Sequence, residues 1–202
     1  KVVCVGRNYV EHVRELRNEI PEEPLLFIKP GSSVVSFDDG IKIPRQLGSV
    51  HHEAEIAVLI GNKLALNSVE KHILPAIVGL APALDLTLRD LQTRLKEKGH
   101  PWEAAKAFDG ACVLAHFEYV IPDDLTHTII SLSVNDQLKQ EGNSAQMLFP
   151  IVSLIQHITK YFSLQPGDVV LTGTPQGVGP LVQGDKLQLS LNNTLGFISH
   201  VY

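Results

Sequence analysis

Between Ala54 and Ile60 every residue except Glu55 is apolar. Side chains alternate between the two faces of a strand, so a strand apolar on both faces must be covered on both sides. Seven further apolar runs rich in Val, Ile and Leu lie between turn residues: Lys1–Val5, Leu25–Ile28, Ala76–Thr87, Thr128–Val134, Val169–Thr172, Lys186–Leu191 and Phe197–Tyr202. Each reads as a strand. Three segments read as helices. Asn8 is placed to cap a short one, with Glu11 completing a capping-box variant. Leu88–Lys98 carries alternating charges and stops at Gly99. Pro150 suits the first position of a third helix, whose apolar side is Ile151, Leu154, Ile155, Ile158 and Phe162. Asn192-Asn193 tolerates positive φ and predicts a hairpin between the last two strands. Strands and helices do not alternate strictly, which disfavours a doubly wound parallel sheet. No repeat or long linker divides the chain, so the expectation is one α+β, β-rich domain over residues 1–202.

Charge narrows the function. The net charge is −5 and no basic cluster is present, so the electrostatic footprint of a nucleic-acid binder is missing. The uncharged apolar run Ile73–Leu84 is too short for a bilayer and contains Pro75 and Pro82. Lys1–Val5 reads as a first strand rather than a secretory leader, because no small-residue cleavage site follows it. Cys4 and Cys112 both lie in apolar runs and suit buried free thiols in a reducing compartment. These readings predict a cytoplasmic protein with a small-molecule partner and no nucleic-acid or membrane partner.

The chemistry concentrates at His51-His52-Glu53-Ala54-Glu55, which runs directly into the apolar strand. Residues two apart on a strand share a face, so Glu53 and Glu55 point together and need a positive charge or shared protons between them. Asp85 lies inside the apolar stretch Leu80–Leu88, where an unpaired carboxylate is costly. Three buried carboxylates without Cys or His at ligand spacing suit a hard cation, Mg²⁺ before Mn²⁺ or Ca²⁺. His51 and His52 fit a supporting role beside them. Thr87, Arg89, Asp90 and Gln92 stand where a buried strand meets a helix, with Thr87 a candidate helix cap. Lys106 is one charge in the apolar stretch Ala104–Phe108, either a surface lysine with a packed stem or a group that stabilises substrate charge.

His12 and Glu15 are three apart on a predicted helix and share a face. A carboxylate beside an imidazole orients it as a general base for water. Arg17–Pro24, with its charges and two prolines, reads as a mobile surface loop, lid-like beside that helix. Thr172–Gly179 is a Gly-rich loop after a strand; it lacks the Walker lysine and the dinucleotide fingerprint. It suits backbone approach to a small anionic ligand, with Thr174 donating a hydrogen bond.

Taken together the chain resembles the fumarylacetoacetate hydrolase family in its small single-domain branch. The resemblance rests on Gly6-Arg7-Asn8-Tyr9, Leu26-Phe27-Ile28-Lys29-Pro30, His51-His52-Glu53-Ala54-Glu55, Ala83–Asp90, Lys106-Ala107-Phe108-Asp109 and Leu171–Gly179, in family order over nearly the whole chain. It implies a β-rich roll of mixed sheets, commonly a homodimer. It implies that Glu53, Glu55 and Asp85 bind Mg²⁺ or Mn²⁺ and that His12 and Glu15 activate water on a helix that orders with substrate. Arg7, Gln92, Lys106 and Thr174 match positions that hold the carboxylate and oxo groups of a 2-oxo acid. The resemblance is strongest to acylpyruvate hydrolases, which cleave a C–C bond to release pyruvate and a carboxylic acid. Oxaloacetate decarboxylation and isomerisation or hydration of unsaturated 2-oxo acids are the alternatives within enzymes. A non-catalytic, metal-dependent binding module is the alternative outside them.

Overall fold

The computed structural model describes residues 1–16, 19–119, 125–193 and 195–202. In chain order the first half contains β1 (Val2–Gly6), α1 (Val10–Glu15), β2 (Leu25–Lys29), β3 (Val34–Ser36), β4 (Val50–His52), β5 (Ala54–Ile60), α2 (Glu70–Ile73) and β6 (Ile77–Asp85). Then come β7 (Thr87–Leu88), α3 (Arg89–Glu97), α4 (Glu103–Lys106), β8 (Cys112–Leu114), β9 (Ile129–Val134) and β10 (Gln137–Asn143). The chain finishes with α5 (Ile151–Ile158), β11 (Val169–Leu171), β12 (Gly179–Pro180), β13 (Lys186–Leu191) and β14 (Leu195–His200).

The largest sheet has seven strands in the order β2-β1-β11-β5-β6-β8-β3. It is mixed: β1/β11 and β3/β8 run parallel, and the other neighbours are antiparallel. Strand β5 lies near its middle, and all but one of its residues are buried, as its two apolar faces require. Ile56, Val58 and Ile60 enter the main core with the face of α5, whereas Ala57, Ala81, Ala83, Cys4 and Cys112 form a second cluster on the opposite side. Each fully buried Ile, Val or Leu contributes about 1.5–3 kcal/mol. The second sheet is antiparallel, β10-β9-β13-β14, and the burial of β9 alternates strictly, so one face is covered. A small sheet, β12-β4-β7, closes one end. The architecture is the α+β, β-rich mixed-sheet roll expected from the sequence.

Three local expectations need correction. Asn8 does not cap α1; Tyr9 takes that position with extended backbone and no side-chain cap. The Asn8 amide instead donates to the carbonyls of Thr172 (2.8 Å) and Phe149 (3.1 Å) and accepts the Phe149 N–H (2.8 Å). A buried amide must be satisfied wherever partners exist, and here they belong to two distant segments. Thr87 does not cap α3, because Leu88 is its first flanking residue and Thr87 turns inward. Pro150 precedes α5 rather than starting it. The hairpin at Asn192-Asn193 forms with both residues at positive φ. Of the loop at residues 17–24, positions 17 and 18 lie outside the described residues, and 19–24 carry no helix or strand.

Candidate active site

The register of β5 against β6 builds the site. Ala54 pairs with Leu84 and Glu55 with Ala83, and the Asp85 N–H donates to the Glu53 carbonyl at 2.9 Å. Glu53 therefore stands opposite Asp85, and all three carboxylates emerge on the face lined by alanines, where small side chains leave room. One oxygen of each lies within 4.8 Å of the others, and all three residues are buried.

Positive charge surrounds this triad. Lys106 Nζ bridges Glu53 Oε2 (2.8 Å) and Asp85 Oδ2 (2.6 Å). Arg89, at the start of α3, donates to Glu53 Oε1, which also accepts from Thr87 Oγ1 at 3.0 Å. Lys29 is wholly buried; its Nζ lies 2.7 Å from Asp85 Oδ1 and donates to the carbonyls of Ala111 (3.0 Å) and Lys106. That contact is an off-axis ion pair, so Asp85 Oδ1 is buried without a hydrogen bond. Burial alone would raise the Glu53 pKa, but Lys106 and Arg89 outweigh it and hold the carboxyl well below its ordinary range. Glu55 goes the other way: burial and the Asp85 charge raise it, and Lys106 offsets only part. Burial disfavours the Lys106 charge, yet Asp85 and Glu53 reverse that and keep it protonated.

The triad opens into a cavity of about 430 Å³ whose wall includes Arg7, His12, Gln92, Lys96, Trp102 and Thr174. His12 is buried on α1, and its Nδ1 lies 3.1 Å from Glu15 Oε2. Glu15 Oε1 accepts the Gly177 N–H at 2.9 Å, which fastens α1 to the Gly-rich loop. The loop's donors thus serve protein carboxylates, since the Gly173 N–H goes to Glu55 Oε2 at 2.6 Å. Thr174 lines the cavity, but its hydroxyl donates to the Ala54 carbonyl (2.9 Å), so the proton expected for a ligand is engaged. Gln140 on β10 organises this corner. Its Oε1 accepts from His52 Nδ1 (2.8 Å) and the Ala54 N–H (3.0 Å), and its Nε2 donates to Thr174 Oγ1 (2.8 Å). Burial holds the His52 pKa below its usual value, and neutral His52 supports the strand rather than facing the triad as a ligand.

The structure therefore brings His12, Glu53, Glu55, Asp85, Lys106, Arg7, Gln92 and Thr174 to the lining of one cavity, and Glu15 joins it only through its 3.1 Å contact with His12. Linear reading did not single out Lys29, Lys96 or Trp102. Lys29 had a signal: it closes the strand Leu25–Lys29, two residues after Phe27 and on the same, buried face.

The sequence description of the fumarylacetoacetate (FAA) hydrolase C-terminal family matches residues 1–201. The chain belongs to this family. It is 50% identical over 197 residues to the oxaloacetate tautomerase of Escherichia coli, covering 95% of this chain and 88% of that protein. It is 38% identical over 194 residues to the mitochondrial oxaloacetate tautomerase of Homo sapiens, covering 95% and 86%. A solved fumarylpyruvate hydrolase from Pseudomonas aeruginosa, in complex with Mn²⁺ and pyruvate, superposes with TM-score 0.92 at 32% identity, covering 99% of this chain and 88% of that one. The described residues hold a donor set that suits a hard divalent cation: three clustered, buried carboxylates with one oxygen of each within 4.8 Å of the others. The chain is thus a member of an enzyme family with a carboxylate cluster of metal-binding type, and no helix of the described residues is long and apolar enough to cross a membrane.

Proposed function

We propose that this chain interconverts the enol and keto forms of oxaloacetate, using Mg²⁺ or Mn²⁺ held by Glu53, Glu55 and Asp85. The observation that carries the reading is the shared cavity of the acidic triad and the His12–Glu15 pair, in a chain half identical to an oxaloacetate tautomerase. The reaction moves one proton between the C2 oxygen and C3, so its atoms balance without water or a co-reactant. His12, oriented by Glu15, gives and takes the proton at C3; a placed base of this kind contributes roughly 10²–10⁴-fold. Lys106 offers a permanent positive charge to the oxygen that gains negative charge. Arg7 and Gln92 are the candidates for gripping the C1 carboxylate. When bound, the divalent cation supplies Lewis-acid polarisation of the 2-oxo group.

Hydrolysis of acylpyruvates, the leading expectation from the sequence, is supported only at the lower identity of the fumarylpyruvate hydrolase. It uses the same base on water and remains the second reading. Loss of the C4 carboxylate from oxaloacetate needs no base, which is why decarboxylation belongs in the same assay panel.

The test follows enol absorbance of oxaloacetate, with pyruvate release from oxaloacetate and acylpyruvates measured in parallel. Wild type with Mg²⁺ or Mn²⁺ should accelerate the enol–keto change, and EDTA should remove the acceleration. His12→Ala should lower kcat by about 10²–10⁴ with unchanged metal affinity by calorimetry. A chain that leaves enol decay untouched while releasing pyruvate rapidly from acylpyruvates would replace this reading with the second one.

A further inference from the structure

The cavity holds more positive charge than its acids account for. Lys106, Arg89 and Lys29 are each ion-paired with Glu53 or Asp85. Arg7 and Lys96 also line the cavity, and neither has a carboxylate partner among the described residues. Arg7 occupies a left-handed backbone conformation, φ 61°, which a non-glycine residue holds at a cost.

Helix α3 sets Lys96 in line with Arg89, with the neutral Gln92 between them. Arg89, Gln92 and Lys96 fall at positions i, i+3 and i+7, one face of the helix, and all three line the cavity. Arg89 lies at the triad, and Lys96 is about 10 Å further along the axis at 1.5 Å per residue. Lys96 is solvent-exposed at the rim of the cavity it lines, and because helical side chains lean toward the N-terminus it leans back toward Gln92. Its Nζ lies 5.6 Å from the centre of the Trp102 ring. Trp102 packs edge-on to Phe27 at 5.1 Å, and Lys106 Nζ lies 5.3 Å from the Phe27 ring on the other side. The aromatic pair thus separates an inner ammonium at the triad from an outer one at the cavity mouth. Burial, and then the charges of Arg7, Arg89 and Lys106, push the Lys96 pKa down to about 8. Lys96 therefore sits in a field of cations that an anionic ligand would relieve.

We propose that Lys96 forms a subsite for a second carboxylate, so that the site selects 2-oxo diacids over 2-oxo acids with an uncharged tail. The inference rests on the proposed 2-oxo acid chemistry for the inner half of the site. The inner end takes the 2-oxo acid group beside the triad, and the outer ammonium takes the distal carboxylate through a charge-assisted bond. Trp102 limits the side of approach, which makes Lys96 a specificity-determining residue rather than one that takes part in proton transfer.

The experiment measures binding and turnover separately on Mn²⁺-loaded protein. Calorimetry compares 2-oxoglutarate with 2-oxopentanoate, which differ chiefly in the distal carboxylate, and enol–keto kinetics use oxaloacetate. Lys96→Met keeps a stem against Trp102 and removes the charge. It should weaken 2-oxoglutarate by about tenfold or more, and 2-oxopentanoate by less than about threefold. The oxaloacetate KM should rise while kcat holds, and Lys96→Arg should restore the preference for the diacid. A merely structural lysine would shift both ligands together or neither, and either result overturns the subsite. Lys96→Gln serves as a second neutral variant should Lys96→Met fold poorly. Diacid preference that depends on Lys96 without oxaloacetate turnover would sink the proposed reaction and leave the subsite standing. Turnover with a diacid affinity indifferent to Lys96 would do the reverse.

Discussion

Lys29 has its whole side chain inside the protein, and its ammonium is one of three cations that compensate Glu53 and Asp85. Truncating one partner of a buried pair leaves the other charge stranded, which costs about 3–5 kcal/mol. Lys106 still reaches Asp85, so the lower end of that range applies: Lys29→Met should lose about 3 kcal/mol in urea unfolding. A loss below about 1 kcal/mol would show that Lys106 alone satisfies Asp85. The two glutamates were legible in the sequence because alternation along one strand puts them on one face. Asp85 was legible because it interrupts an apolar run. Lys29, Trp102 and Lys96 were not, since what brings them together is the order β2-β1-β11-β5-β6 and the docking of α3, neither of which leaves a local trace.

Helix α1 and the Gly-rich loop act as a pair of elements, joined where Glu15 accepts the Gly177 N–H. Gly177 has φ +95°, and a Cβ there would fall 2.0 Å from the Lys139 carbonyl oxygen, a backbone atom in the neighbouring strand. Gly184 has φ +91° and open space around it, so it isolates the cost of conformation from the cost of collision. Gly177→Ala should therefore destabilise by more than about 1 kcal/mol and lower kcat as Glu15 loses its anchor, whereas Gly184→Ala should cost stability alone. Equal kcat for the two variants would separate the loop from His12. At this scale, long apolar strands were readable and polar ones were not. Gln137–Asn143 has almost no β-forming composition, yet it pairs because Asn135-Asp136, both at positive φ, turn the chain back on β9. The short strands Val34–Ser36, Val50–His52 and Cys112–Leu114 are three residues each, too short for alternation to show in the sequence.

Across the whole molecule, the parallel pairing of β1 with β11 joins residues more than 160 positions apart, which periodicity could not foresee. The same sheet buries both thiols. Burial pushes Cys112 up to about 12 and raises Cys4 well above its ordinary value. An unfolded thiol ionises near 9, so above that pH the unfolded chain has shed protons the folded chain keeps, and stability falls as pH rises. Below about 9 this contribution is complete. Each thiol should cost up to about 1.4 kcal/mol per pH unit between 9 and its folded value. Denaturation midpoints from pH 7.5 to 10.5 should decline less steeply in Cys112→Ala than in wild type, and parallel slopes would refute the burial account.

The ammonium of Lys106, lodged between Glu53 and Asp85, bears on the order in which the enzyme matures. Small zinc domains stay unfolded until their ion arrives, because nothing else reconciles their ligands. Here the chain carries its own cation between the carboxylates, so on the proposed reading newly made protein can finish folding before a divalent cation takes its place there.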